Sequence, residues 1–451
     1  MSLDRRAFFR LSALTTAVPA VTLATPSRAA PMSMLGVDAV QLGVRAGGTV
    51  EQTAALQNAI DQTAGARVPL VLGPGEYRTG QLKLPTGTQI VGVRGATRLI
   101  FEGGAALISA HGADHVTLAG LIFDGKGKSL PEERGLIQVS WGGGIRIIDC
   151  EVLNSGGHGI VLDDVEGTIA GSMIANAAHT GIVSRNGRGV TIGNNQIRDC
   201  RGGGIHILRK NKGDDGSQVS DNRIEDIAAE PGKASGNGIL IAQAANVTVR
   251  GNRMRRIAAS GVKGQGAANL QIVGNFIAEV GDAAVHAEAD FEGVVVANNT
   301  LSDAAAGIAI VGFEHGGRLA VIEGNLIRNL KTARRAGHGN GAGAGIGISV
   351  EADATVSGNV IENAPDTGIK LGWGQYLRDV SVTGNVVRNV GYGITASIST
   401  GAGQAVIAAN MVAEAKRGAI VGMDFAEAIP DDLQKNPTRY AHLTVRGNKV
   451  R

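Results

Sequence analysis

Aromatic side chains are scarce in this 451-residue sequence, which has 8 phenylalanines, 4 tyrosines and 2 tryptophans. With 43% hydrophobic residues, the core has to be filled by Val, Ile, Leu and Ala, which argues against propeller blades and their aromatic signatures. Prolines number only 11 and glycine keeps no every-third register, so the 68 glycines do not describe a collagen-like chain. Two cysteines, Cys150 and Cys200, read as small buried hydrophobes rather than a bridge. After the N-terminal leader no apolar run is long enough to span a membrane. An excess of one charge is missing too. The formal +3 belongs to residues 1–29, where Arg5, Arg6, Arg10 and Arg28 face Asp4 alone, and the rest carries 39 basic and 39 acidic residues. That balance excludes the basic footprint of a nucleic-acid partner.

What is present begins with a leader. Asp4-Arg5-Arg6-Ala7-Phe8-Phe9-Arg10 precedes an apolar stretch from Leu11 to Ala24, and Ser27 and Ala29 sit where a signal peptidase expects small residues. The stretch is too short for a membrane anchor and resembles a twin-arginine export signal. The resemblance implies passage through the twin-arginine translocase in a folded state, and a periplasmic or secreted mature protein.

From about residue 145 a repeat takes over. Asparagines 195, 222, 252, 275, 299, 325, 359, 385, 410 and 448 recur in one slot, which Cys150 and Ser172 fill earlier. A second marker, Gly-Ile, starts at Gly159, Gly181, Gly204, Gly238, Gly307, Gly347, Gly368 and Gly393. Units of 22–24 residues with short alternating strands and no helical period predict one coil of a parallel β-helix each, about a dozen in all. Leucine-rich repeats share the period, but their leucine spacing is absent. The asparagines are expected to form an internal ladder, with the slot itself in left-handed turn geometry. Cys150 and Cys200 then lie two coils apart, beyond disulfide reach.

Ahead of the repeat, Thr49-Val50-Glu51-Gln52 reads as a capping box opening a short helix with Ala55, Leu56, Ala59 and Ile60 on one face, a cap for the open end of a solenoid. Ala55-Leu56-Gln57 followed by Pro74-Gly75-Glu76-Tyr77 resembles the pectin-lyase-like superfamily of right-handed parallel β-helices, over about residues 36–451. With the leader, the whole chain resembles a family of twin-arginine-translocated repeat proteins, which implies a fold and an export route rather than a reaction. The expected division is a signal peptide (1–29), a linker and α-helical cap (30–66), and an all-β right-handed parallel β-helix (67–451).

A solenoid's site is expected on an outer face walled by insertions. Longer coils place extra residues before the Gly-Ile strand at 228–236 and 331–344, the latter with Arg334, Arg335 and His338, and after it at 209–216, 313–318 and 374–378. On the strand's outward face Lys263 and His286 fall on adjacent coils, with Gln265 and Glu288 beside them; His206 lies in the same row. Lys263, His286, Glu288 and His206 are the candidate catalytic groups; Gln265, Lys370, Trp373 and Arg209 are the candidate substrate contacts. A lysine can neutralise a uronate carboxylate or, desolvated, act as base; histidine can be base or acid; tryptophan can stack a sugar. Lyase or epimerase chemistry on an acidic polysaccharide is favoured over hydrolysis by paired carboxylates, and a non-catalytic glycan-binding envelope scaffold is the alternative. No cofactor is required by these residues, although converging carboxylates would admit Ca²⁺. Gly157-His158-Gly159 resembles the His-Gly motif of polygalacturonases, but the partner Asn-Thr-Asp and Arg-Ile-Lys motifs are missing, as is the epimerase Asp-Pro-His-Asp. Trp141 reads equally as a second sugar platform or as coil packing.

Overall fold

The computed structural model describes residues 36–47, 49–333 and 343–451. The leader and the insertion residues Arg334, Arg335 and His338 lie outside them. Each coil lays down three short strands that pair in parallel with their counterparts one coil away, so that the chain winds into a parallel β-helix of about 14 turns. We call the sheet that carries the Gly-Ile markers sheet A (Ile182–Arg185, for example); Thr191–Gly193 belongs to sheet B and Gln196–Arg198 to sheet C.

The register explains the markers. Ile160, Ile182, Ile205, Ile239, Val262, Val285, Ile308, Ile348, Ile369, Ile394 and Ile420 pair in unbroken succession along sheet A, and all are fully buried. Each contributes roughly 1.5–3 kcal/mol of apolar burial. The preceding glycine is there for clearance: a Cβ at Gly204 would lie 2.5 Å from the Gly238 carbonyl oxygen, and at Gly181 2.9 Å from that of Gly204.

The asparagine ladder is complete. Every Nδ2 from Asn195 to Asn410 donates to the Oδ1 of the next asparagine at 2.9–3.0 Å, and that same Oδ1 accepts the preceding asparagine's backbone N–H. Ser172 extends it, donating its N–H to Asn195 and accepting that of Cys150. The turn geometry sits one residue earlier than expected: Asn194, Asp221, Gly251, Gly274 and Asn298 have positive φ, not the ladder asparagines. Both thiols are free and buried, and burial pushes them up to about 11 for Cys150 and about 12 for Cys200.

The cap helix spans Thr53–Ala66 and buries Leu56, Ala59 and Ile60. The capping box does not form. Gln52 turns back to bond both backbone groups of Arg45, and Glu51 accepts the Thr53 N–H at 2.7 Å instead. Val37–Asp38, ahead of the helix, already pairs with Leu70–Val71, so strand pairing starts inside the stretch expected to be a linker. Among the described residues no helix is long and apolar enough to cross a membrane.

Candidate functional site

Sheet A sets the outward row in the expected order. Val161, Val183, His206, Leu240, Lys263, His286, Ala309, Ser349, Lys370 and Thr395 are register partners one coil apart. At about 4.8 Å per coil, His206 stands ~10 Å from Lys263, and Lys370 ~19 Å beyond it. Seven of the eight nominated residues therefore divide into three stations along one face rather than forming one centre, Arg209 being the exception.

The middle station is the tightest. Lys263 Nζ lies 2.8 Å from Glu288 Oε1, and His286 Nε2 lies 3.5 Å from Glu288 Oε2. Leu240 precedes this trio and Ala309 follows it in the row, so its polarity is local. Burial alone would raise the Glu288 carboxyl, but the Lys263 hydrogen bond and the charges of His286 and Lys263 hold it below the ordinary carboxylate range. His286 is 3% exposed and forms the floor, whereas Lys263 and Glu288 are partly open. Gln265, on the next outward position of the Lys263 strand, is exposed. The Arg209–Gly216 insertion walls the station: Lys212 Nζ reaches the Asp290 backbone oxygen at 2.6 Å, three coils on.

The upstream station is a histidine cluster. His158 Nδ1 accepts the Thr180 N–H at 3.1 Å, which places its proton on Nε2, 3.9 Å from Glu133. Thr180 Oγ1 also meets His206 Nδ1 at 3.4 Å, while His206 Nε2 is buried without a partner among the described residues. Glu230, from the 228–236 insertion, takes His179 Nδ1 at 3.0 Å and Lys233 at 2.7 Å. Burial is the main cause that lowers His158 to about 4 and His206 to about 3, so both stay neutral in ordinary buffers. Arg209 turns away from this face: it donates to the Gly187 carbonyl at 3.1 Å and sits 3.8 Å from the buried Asp215.

The downstream station is a cavity of about 520 Å³ lined by Glu351, Asp366, Lys370, Trp373, Tyr392 and Arg417, among others. Lys370 Nζ lies 4.0 Å from the Trp373 ring centroid and makes no ion pair among the described residues. Burial lowers its pKa, against the pull of Asp366 and Glu351. Both carboxylates are already engaged. Asp366 pairs with Arg417 at 2.5 Å, and Glu351 accepts the Gly312 and Phe313 N–H groups at 2.8 Å, pinning the 313–318 insertion. Glu314 and His315, in the short 3₁₀ turn of that insertion, are exposed.

Sequence reasoning passed over Thr180, Tyr392 and Asp366. They were legible in principle, because His158, Thr180 and Tyr392 each stand directly before a Gly-Ile marker, and Asp366 two residues before one. Arg417 shares the Asp366 row, three residues before Ile420 as Asp366 is before Ile369, whereas Glu230, in an insertion, has no periodic position that would have flagged it. For Ca²⁺ the donors do not fit: among the described residues no group of three or more Asp, Glu, His or Cys side chains converges.

Residues 134–214 and 211–387 match the family model described as the right-handed β-helix region, and the chain belongs to that family. The catalytic unit of a GH87 α-1,3-glucanase from Streptomyces thermodiastaticus superposes with a TM-score of 0.52 at 16% identity, covering 95% of this chain and 70% of that one. The N-terminal fragment of gene product 12 of bacteriophage phi29 gives 0.57 at 14% identity, over 89% and 74%. At these identities the likeness is one of fold. No curated protein sequence matches the chain.

Proposed function

We propose that the chain is an exported β-helix that binds acidic polysaccharide along sheet A and acts on it at Lys263, His286 and Glu288. The carrying observation is the convergence of these three groups on a floor otherwise aliphatic in the adjacent coils. Lys263 neutralises the carboxylate of a bound uronosyl unit, which acidifies its C5–H. His286 takes that proton, and Glu288 orients both. In elimination the C5–H electron pair forms the C4–C5 double bond while the C4–O bond breaks and the leaving oxygen takes the proton back from His286; in epimerisation water delivers a proton to the opposite face of C5 and His286 releases its own to solvent. Lys370 and Trp373 hold a second sugar of the same chain by charge and by stacking. The α-1,3-glucanase among the similar folds acts on a glycan, which agrees with this reading. Export through the twin-arginine translocase, to the periplasm or beyond, belongs to the same proposal.

The deep burial of His286 and the mutual neutralisation of Lys263 and Glu288 favour a second reading, a non-catalytic glycan-binding scaffold. Incubation with pectate, alginate or glucuronan, with and without Ca²⁺, separates the two. The enzyme reading expects ultraviolet-absorbing unsaturated product or a changed uronate composition, lost in the Lys263→Ala/His286→Ala variant. Polymer binding with neither product leaves the scaffold. For export, Arg5-Arg6 replaced by Lys-Lys is expected to strand the precursor in the cytoplasm; unchanged secretion contradicts the export route.

A further inference from the structure

Beyond the three stations, the row of turn positions that closes each sheet A strand holds an anomaly. Gly112, Trp141, Asp164, Asn186, Gln243, Gly266 and Ala289 occupy this position in their coils, all at positive φ. Glycine, asparagine and aspartate suit that geometry; Gln243 and Ala289 take it without that advantage, and Trp141, at φ 54°, is the bulkiest side chain among these seven positions and their one aromatic. The fold gains little from the side chain, because the indole is 59% exposed. The ring is nevertheless fixed. Its Nε1–H donates to Asp164 Oδ2 at 3.1 Å, and His111 from the preceding coil leans against it at 5.0 Å between centroids. An exposed aromatic plate, held in place at a backbone cost, is a binding device rather than packing.

Its place in the fold says what it binds. Trp141 directly follows Ser140, which pairs with Asp163, and that row runs on through Arg185, Leu208, Ala242 and Gln265 to Glu288 of the central station. Trp141 is thus five coils, about 24 Å, from the Lys263 coil, and nine coils, about 43 Å, from that of Trp373. On its other side His111 also lines a concavity of about 940 Å³ with Gln57, Lys83 and Ser109, which continues the polar face toward the cap helix. We infer that Trp141 is a remote sugar-binding site that stacks a pyranose ring of the polysaccharide chain engaged at the central station. The ligand is then a polymer laid along the helix axis, bound far from its chain ends, and not a short oligosaccharide held in one pocket. This inference rests on the glycan-binding reading above.

The test uses the whole chain, with pectate, alginate and glucuronan as polymers and their tetrasaccharides as short ligands. Trp141→Gly, which suits the left-handed turn, is expected to keep or raise Tm while weakening binding of the preferred polymer roughly three- to ten-fold. Tetrasaccharide affinity stays unchanged, and Trp141→Tyr restores most polymer binding. A Trp373→Phe variant leaves Trp141 as the one tryptophan of the chain, and its emission is expected to shift with polymer and not with tetrasaccharide. Equal polymer affinity in wild type and Trp141→Gly overturns the remote site alone. So does an equal loss for polymer and tetrasaccharide. Absence of binding to any of the polymers by the wild-type protein overturns the glycan reading, and the remote site with it.

Discussion

Lys263 and Lys370 stand in one outward row, four coils apart, yet the fold treats them in opposite ways. Lys263 is answered by Glu288 at 2.8 Å, and His286 completes a compact polar trio. Lys370, equally half-buried, has an aromatic ring in place of a counter-ion, because the nearby Asp366 and Glu351 are committed to Arg417 and to backbone N–H groups. A paired cation with a carboxylate and an imidazole at hand is equipped to move a proton. A desolvated cation left unanswered is an uncollected cost that an anionic ligand recovers. On the function proposed above, one sheet then presents a chemical station and a recognition station, both made from lysine.

The comparison breaks first on turnover. Lys263→Ala with His286→Ala is expected to lower the rate on the preferred uronate polymer at least about a hundred-fold with little change in KM, the scale of a lost acid–base pair. Lys370→Met is expected to do the reverse, raising KM about ten-fold and leaving kcat nearly intact. Steady-state kinetics on both variants decides it; a kcat effect at Lys370 or a pure KM effect at Lys263 would exchange the two roles.

Stability sharpens the contrast on a smaller scale. Lys370→Met removes a half-buried charge that has no ion pair among the described residues and is expected to raise stability by about 1 kcal/mol. Lys263→Met strands Glu288 and is expected to lower it by a similar amount, discounted because both partners are partly exposed. Denaturant midpoints report both signs.

The smallest effects are in pH. Lys370 has a lowered pKa in the folded chain, so the unfolded chain binds its proton more tightly. Its contribution makes the fold more stable as pH rises through the folded value toward ~10.4, while affinity for an anionic ligand falls over that window. Glu288 is lowered as well, and its contribution is present above the ordinary carboxylate range and is lost as pH falls through its folded value. The neutral His158, buried, and His206, half-buried with its Nε2 enclosed, add an acid limb independent of the lysines. The unfolded chain takes up protons below ~6.5, so stability drops from there toward about 4 and about 3. Thermal midpoints across that range, compared with those of a His158→Gln variant, check the acid limb. An unchanged slope in the variant contradicts it.

How much of this was legible in the sequence follows from what repeats. Gly204-Ile205-His206 announces a strand start, a core residue and an outward residue, so the register of Lys263 beside His286 and of Gln265 beside Glu288 was readable from spacing. So was the asparagine ladder, whose buried amides leave few alternatives to bonding one another. Spacing does not tell which way a long side chain turns. Arg209, nominated for substrate, closes on Gly187 and Asp215, and Glu230 reaches His179 from an insertion with no period. Thr49-Val50-Glu51-Gln52 matched a capping box by pattern, yet Gln52 found better partners in the Arg45 backbone, a tertiary choice that a local motif does not contain.

The central claim, that Lys263, His286 and Glu288 move a proton at C5 of a uronosyl unit, is tested most directly in deuterated water. Pectate, alginate and glucuronan are each incubated with the protein, and NMR follows the solvent label at C5 together with any unsaturated product. The account predicts C5 deuterium, or C4–C5 unsaturation, in the polymer the protein binds, and neither with the Lys263→Ala/His286→Ala variant. A polymer that binds tightly and gains neither label nor double bond would contradict it.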